Sequence, residues 1–271
     1  ADYARAGLKR GLALEAKLGA NPYKFGLIGS SDSHTGMSAV EETGFAGKSY
    51  HDAFPATRSE PAGLGAAKGW DMGAAGFVAA WATENTRRGI YEAFKRREVY
   101  ASTGPRITLR FFAGYDFGAA DLKVKDLAAN GYRKGVPMGG DLKAHSGLKA
   151  PTFLVAAMKD PQGANLDRVQ IVKGWVEADG STRERIYDVA VSGGRSISAD
   201  GRCATAVGST VDLATGQYRN DIGVAELHTV WRDPHFDPAQ RAFYYARVLE
   251  IPTPRYSLLD SIALGKPWED T

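Results

Sequence analysis

The apolar residues near the start of the chain recur with helical spacing. Leu8 and Leu12 lie four residues apart, which places them on one face of a helix predicted over residues 3–18. Gly19 is a typical residue just past a helix end. The apolar run at 25–28 then predicts a short buried strand that ends in a Gly/Ser cluster. A helix followed by a buried strand is typical of one β/α-barrel repeat, in which chemistry lies where the strands end.

The next part of the chain alternates between irregular and periodic segments. Residues 35–72 are rich in Gly, Ser, Pro and Ala without sustained periodicity, which predicts a functional loop acting as a lid or rim. A helix is predicted over residues 85–97, with Asn85 or Thr86 as its cap. Its apolar residues are expected to face inward: Ile90, Tyr91 and Phe94. Two short strands are predicted to follow: 99–101 and 107–111.

After about residue 115 helical periodicity nearly vanishes, and strand-like runs lie between turn signals. The predicted strands are 152–158, 168–176, 184–192 and 242–251. Turn sequences separate them, and the hairpin after residue 176 is expected to turn at Asp179-Gly180. Several short strands at this spacing favour an antiparallel β-sandwich.

Composition and charge exclude several classes of protein. The chain is 44% hydrophobic and 24% charged, which is ordinary for a globular protein and does not indicate disorder. Its net charge of +3 is too balanced to indicate nucleic-acid binding. The most apolar run, at 73–82, is too short to span a bilayer. Cys203 is the only cysteine, so no disulfide can form within the chain.

Asp32-Ser33-His34 is the most informative short motif. Side chains two residues apart on a strand point to the same side, so Asp32 and His34 can present a carboxylate and an imidazole to one point beyond the strand end. Both groups are common ligands of divalent transition metals. The alternative is a helix-capping Asp beside a surface His. The spacing therefore predicts a metal site and leaves this structural alternative open.

Two further residues are candidates for catalytic roles. His51 lies in the long loop, where it could contact substrate or simply be a surface residue. Arg106 follows the Gly104-Pro105 turn and could stabilise charge on a scissile group, or be an ordinary surface arginine. His228, Asp233 and His235 lie close together in sequence, but the Asp-Pro turns around them favour a structural loop.

Longer motifs resemble a known family. The match runs through nearly the whole chain and is carried by these segments: KFG at 24–26, SDSH at 31–34, RREVYASTGPRI at 96–107, TVWRDP at 229–234 and FYYARVLEIPTPR at 243–255. They resemble the domain-of-unknown-function family 3604, of the polymerase-and-histidinol-phosphatase (PHP) superfamily. In that superfamily a D-x-H motif closes a metal cluster inside a distorted β/α barrel, and one branch cleaves carbamates and esters.

This resemblance implies a fold and a cofactor. Residues 1–113 are expected to form the C-terminal part of a PHP-like β/α barrel, and residues 114–271 an antiparallel β-sandwich domain. Asp32 and His34 would bind a divalent metal, Zn or Mn and possibly Fe. The H-x-H motif that opens the superfamily barrel does not occur in this sequence, and only five His are present. The metal site in this chain is therefore expected to be incomplete.

The absent H-x-H strand also implies a partner. We expect the missing N-terminal part of the same protein, or another copy, to pair with the barrel residues. The resemblance favours a periplasmic or secreted protein, because members of the family often carry export signals.

Two functions remain open on the sequence alone. The first is the C-terminal portion of a metal-dependent hydrolase that cleaves a phosphoester, carboxylic ester or carbamate with a metal-activated water. Its substrate would be a small-molecule ester or phosphoester. The second is a non-catalytic binding module, with a degenerate barrel and a β-sandwich that binds a glycan or protein partner.

Overall fold

The computed structural model describes residues 3–37, 41–61 and 67–267. Within them the chain forms a mixed α/β structure with several antiparallel sheets and few helices. The helices are α1 (Ala4–Leu18), α2 (Pro55–Arg58), α3 (Arg87–Lys95), α4 (Leu127–Lys134) and α5 (Tyr256–Leu264). The strands are β1 (Phe77–Ala80), β2 (Val99–Ser102), β3 (Thr108–Gly114), β4 (Gly135–Pro137), β5 (Thr152–Met158), β6 (Leu166–Val176), β7 (Thr182–Val191), β8 (Glu226–Arg232) and β9 (Ala242–Glu250).

The first helix matches its prediction. Gly19 adopts a left-handed conformation with φ of 75°, and its N–H donates to the carbonyl of Glu15, so the helix ends where the sequence indicates. Arg5 donates to the hydroxyl of Tyr245 and forms an ion pair with Glu184. These two contacts hold α1 against the sheet that contains β7 and β9.

The strand predicted at 25–28 is absent, and that prediction is wrong. The segment forms no strand, and the Ile28 side chain is 61% exposed rather than buried. Gly29 lies directly against the paired strands β1 and β2: a Cβ at this position would come 2.7 Å from the carbonyl oxygen of Phe77. The segment therefore packs through close backbone contact instead of joining a strand ladder.

The described parts of the long loop at 35–72 dock on the C-terminal helix. Arg58 of α2 donates two hydrogen bonds to the carboxylate of Asp260 in α5, at 2.8 and 2.9 Å, and both side chains are buried. The ring of Phe45 stacks on Tyr256 with centroids 3.9 Å apart, and Trp70 completes this apolar cluster. Residues 38–40 and 62–66 of the predicted lid lie outside the described residues.

Helix α3 is present but faces the other way from its prediction. Thr86 caps it by accepting a hydrogen bond from the N–H of Gly89, in agreement with the sequence. The buried residues are the small Gly89 and Ala93. The larger apolar residues predicted to face inward are instead exposed: Ile90, Tyr91 and Phe94. The face of the helix that packs inward is thus the one with small residues, because a Cβ at Gly89 would come 2.5 Å from the carbonyl oxygen of Glu84.

Two antiparallel sheets dominate the second half of the chain. One has the order β4-β3-β5-β8 and the other the order β7-β6-β9. Strand β3 lies in the first of them, paired with β5 from Thr108↔Met158 to Gly114↔Thr152, so this sheet begins before residue 114. The β6–β7 hairpin turns where predicted, with Gly180 at φ of 82° and its N–H donating to the carbonyl of Glu177.

The two sheets pack on one shared apolar cluster. Phe111 on β3 and Phe153 on β5 stack with ring centroids 5.5 Å apart. The same cluster contains Val169 and Ile171 from β6 and Tyr187 from β7. A continuous core between two antiparallel sheets explains why the strands of this half show so many apolar residues.

No closed barrel is found among the described residues. Strands β1 and β2 form a separate pair that is antiparallel, whereas the strands of a β/α barrel are parallel. Strands β1 and β8 and helices α4 and α5 were not predicted from the sequence. Helix α4 begins at Asp126, whose side chain accepts from the N–H of Ala129, and α5 ends at Gly265 in a left-handed conformation.

Candidate functional site

A tight turn brings Asp32 and His34 together. Asp32 has a φ of 57°, which is uncommon for a residue other than glycine. The Nδ1 atom of His34 lies 2.7 Å from the backbone oxygen of Asp32 and 3.8 Å from its carboxylate oxygen Oδ1. The two side chains therefore meet through a local turn, not through the alternation of a strand.

The hydrogen bond of His34 determines which ring nitrogen carries the proton. A backbone carbonyl only accepts hydrogen bonds, so Nδ1 must donate to the oxygen of Asp32. In the neutral ring the Nε2 atom then keeps its lone pair. No hydrogen bond or ion pair within the described residues engages Nε2, and the imidazole is 60% exposed. His34 thus presents an available ligand atom to solvent.

Lys48 is the closest charge to this turn. Its Nζ atom lies 2.6 Å from Oδ2 of Asp32, and this hydrogen bond lowers the pKa of the Asp32 carboxyl. The backbone oxygen of Lys48 also accepts from the N–H of His34 at 2.6 Å. Lys48 therefore holds both residues of the motif, and nothing in the sequence pattern indicated this role.

A buried carboxylate supports the segment that carries Lys48. Asp52 accepts from the backbone N–H groups of Lys48 and Ser49 and from the Ser49 hydroxyl, at 2.6 to 2.7 Å. Burial by itself raises the pKa of Asp52, but these hydrogen bonds outweigh it and lower the pKa. The ionised Asp52 thus fixes the turn that presents Lys48 to Asp32.

The other two candidate residues lie apart from this pair. His51 belongs to the same turn as Lys48, but its ring packs on Tyr50 with centroids 3.7 Å apart. The guanidinium of Arg106 is 58% exposed and lies 3.7 Å from the carboxylate of Glu41. No hydrogen bond or ion pair within the described ranges links His51 or Arg106 to Asp32 or His34.

The donor atoms of Asp32 and His34 suit a divalent metal, but two ligands do not complete a site. Among residues 3–37, 41–61 and 67–267, no group of three or more His, Cys, Asp or Glu side chains could hold a metal ion. Transition-metal sites in proteins normally have at least three protein ligands. The described residues therefore supply only part of the ligand set of such a site.

The cluster around Asp233 is fully engaged in structural contacts. Its carboxylate accepts from the buried ammonium of Lys173 at 2.6 Å, from the hydroxyl of Tyr244 at 2.7 Å and from the backbone N–H of His235 at 2.9 Å. The ring of His235 bonds in turn to Tyr187. Lys173 lies on β6 and Asp233 follows β8, so this cluster ties the two sheets together.

A large cavity lies elsewhere in the molecule. It has a volume of about 1010 Å³ and is bounded by α1, β2, β4 and β9. Neither Asp32 nor His34 lines it. Glu250 does line it, and burial together with the charge of Asp160 raises the pKa of Glu250 to about 7.

Comparison with known proteins places the chain in a family. The family model described as "Protein of unknown function (DUF3604)" matches residues 1–271. The chain belongs to the DUF3604 family. No curated protein and no solved structure matches this DUF3604 chain. In its described part, no helix is long and apolar enough to cross a membrane.

Proposed function

We propose that this DUF3604 chain is the C-terminal portion of a PHP-like metal-dependent hydrolase that acts on a phosphoester, carboxylic ester or carbamate. The proposal rests on one observation, the hydrogen bond from Nδ1 of His34 to the backbone oxygen of Asp32. Metal-binding histidines commonly donate their second ring N–H to a carbonyl or carboxylate, which fixes the ring and leaves the other nitrogen for the metal.

In this proposal Asp32 and His34 hold one side of a Zn or Mn ion. Such an ion supplies positive charge that lowers the pKa of bound water. The Asp32 carboxylate is ionised, and the Lys48 ammonium already provides a positive charge beside it. Binding of a metal to Asp32 therefore requires Lys48 to move or to share the carboxylate.

Arg106 and His51 are proposed to contact the substrate. The guanidinium of Arg106 is exposed, and within the described residues its one ion pair is the long contact with Glu41, so it is available to an anionic oxygen of an ester or phosphoester. His51 is carried by the same turn as Lys48, whose ammonium contacts Asp32. Further metal ligands would come from outside the described residues.

Calorimetric titration with Zn²⁺ and Mn²⁺ tests the ligand assignment without requiring activity. His34→Gln and Asp32→Asn are each expected to weaken metal binding at least about tenfold, because each removes one of two ligands. His228→Gln is the matched control, since His228 is an exposed imidazole on β8. Lys48→Met is expected to strengthen binding, because it removes the cation on Asp32.

Hydrolysis tests the proposed reaction. The 271-residue chain and a longer chain with upstream residues are compared on p-nitrophenyl esters, phosphoesters and carbamates with added metal. We expect weak or no hydrolysis by the shorter chain and metal-dependent hydrolysis by the longer one. If His34→Gln binds metal as tightly as the wild type, or leaves the longer chain fully active, the ligand assignment is wrong.

A further inference from the structure

The cavity of about 1010 Å³ lies along the edge of strand β9. All the consecutive residues 242–250 border it. Since successive side chains of a strand point to opposite faces, a cavity beside one face would touch only alternate residues. Contact with every residue is what a cavity along the strand edge gives, because backbone groups point there.

The edge of β9 that faces the cavity is unpaired. Among the described residues, strand β9 is the last strand in the order β7-β6-β9 and pairs with β6 alone. The backbone oxygen of Arg241 accepts from Val176 and the N–H of Ile251 donates to Asn165, so the odd-numbered residues of β9 face β6. The even-numbered residues therefore direct their N–H and C=O groups to the cavity: Ala242, Tyr244, Ala246, Val248 and Glu250.

In the described part of the chain, the N–H and C=O groups of these five residues have no hydrogen-bond partner. Natural proteins usually protect such an edge with proline, lysine or a bulge. Strand β9 contains no proline and no lysine, and the bulge in the β6–β9 pair lies on β6. Strand β4, by contrast, is short and ends in Pro137. The long edge of β9 is therefore a template for strand pairing.

The walls on either side of this edge are apolar. Leu8 and Leu12 of α1 line one side, and Phe111 and Phe153 of the opposing sheet line the other. An occupant hydrogen-bonded to β9 would thus be covered on both faces, as in a buried strand of mainly apolar residues.

We propose that β9 binds an extended apolar segment of a separate polypeptide, which adds to the sheet as a fourth strand after β9. A row of alternating backbone donors and acceptors is complementary to another polypeptide backbone and not to a compact small molecule. Strand β2 also lines the cavity.

Hydrogen exchange with a defined peptide tests this proposal. The probe is a soluble peptide with the sequence Lys-Lys-Val-Thr-Val-Ile-Val-Thr-Lys-Lys. In the free protein the amides of Ala242, Tyr244, Ala246, Val248 and Glu250 should exchange fast, while the odd-numbered amides of β9 should be protected by β6. Saturating peptide should slow exchange of the even-numbered amides at least tenfold and leave the odd-numbered ones unchanged.

Two matched comparisons test whether peptide binding depends on hydrogen bonds between backbone groups. Ala246→Pro removes one N–H from the free edge without removing a bond to β6, whereas Ala246→Val adds similar volume and keeps the N–H. We expect fluorescence anisotropy to show peptide binding at least about fivefold weaker for Ala246→Pro than for Ala246→Val. A peptide N-methylated at alternate residues should bind wild-type protein at least about tenfold more weakly than the parent peptide, because it loses several backbone donors.

The proposal is overturned by any of three results. Failure of the peptide to protect the even-numbered amides would show that the edge does not accept a strand. Equal binding of the N-methylated peptide would show an apolar site that does not recognise backbone. A second copy would be the occupant if the even-numbered amides are already protected in the free protein, light scattering shows a dimer, and dilution removes both the protection and the dimer. If Ala246→Pro does not fold, the N-methylated peptide still decides the question.

Discussion

Single residues set the backbone geometry of the β6–β7 hairpin. Gly180 has a φ of 82°, in the left-handed region, and a Cβ at this position would meet no atom within 4 Å. Replacement of Gly180 therefore tests backbone strain without a steric clash. Gly118 provides the matched control, because a Cβ there also meets nothing within 4 Å while its φ is −142°.

We expect Gly180→Ala to lower the free energy of unfolding by about 1 kcal/mol, the usual cost of a left-handed conformation in a residue with a Cβ. Gly118→Ala should change it little. Equilibrium urea unfolding of the two variants and the wild type measures both values. An equal loss in both variants would show that left-handed strain is not the cause.

At the same scale, the sequence indicated part of the candidate site. The two-residue spacing of Asp32 and His34 predicted that their side chains would lie close together, and they do, although the strand on which that prediction relied is absent. It did not indicate the positive φ of Asp32 that brings them together, nor the contribution of Lys48. Lys48 reaches Asp32 through a turn sixteen residues downstream, and no local pattern encodes such a contact.

Among the elements, a buried carboxylate joins the 3-10 turn at Ala119–Lys123 to α4. Asp121 accepts hydrogen bonds from Lys134, from Asn130 and from the backbone N–H of Gly118, at 2.7 to 2.9 Å. Burial by itself raises the pKa of Asp121, but these hydrogen bonds outweigh it and lower the pKa to about 2. The ionised carboxylate therefore stabilises the folded state.

The pH dependence of this contribution has a definite sign. The pKa of Asp121 is lower in the folded than in the unfolded chain, so the stabilisation is complete above about pH 4 and is lost as the pH falls towards 2. Asp121→Asn should lower the unfolding free energy by about 2 kcal/mol at pH 7, and the difference from wild type should shrink below pH 4.

Urea unfolding of both proteins between pH 3 and pH 7 measures that difference. Asp221→Asn is the control, because Asp221 forms an exposed ion pair with Arg219 and should have little effect. A difference between Asp121→Asn and the wild type that stays constant down to pH 3 would contradict the assigned ionisation.

The elements differ in how well the sequence predicts them. Strands β5, β6, β7 and β9 were predicted because apolar and β-branched residues run between clear turn signals. The strand at 25–28 was predicted wrongly because its apolar residues suggested burial, whereas Gly26 and Gly29 allow backbone packing with exposed side chains. Helix α4 was missed because Asn130 and Gly131 weaken its helical pattern, and tertiary contacts stabilise it instead.

For the molecule as a whole, one ion pair connects the first third of the chain to its end. Arg58 and Asp260 form two hydrogen bonds, and the indole N–H of Trp70 donates to the same carboxylate at 3.1 Å. Both charged side chains are buried, so removal of one leaves the other without its partner of opposite charge.

Asp260→Ala should therefore lower the unfolding free energy by about 3–5 kcal/mol. The double variant Arg58→Met/Asp260→Leu should recover most of this loss, because it removes both charges together. Thermal or urea unfolding measures the two variants against the wild type. A double variant as unstable as Asp260→Ala would show that the loss comes from packing and not from the unpaired charge.

The same pair determines when this protein can complete its folding during synthesis. Asp260 lies 202 residues after Arg58. At roughly 5–20 residues per second, a ribosome needs about 10–40 s to make the intervening chain. During that time α2, Phe45 and Trp70 lack the helix on which they dock. The segment that carries α2, Phe45 and Trp70 therefore reaches its final structure only after α5 has been made, and until then its arginine and aromatic side chains remain accessible to chaperones.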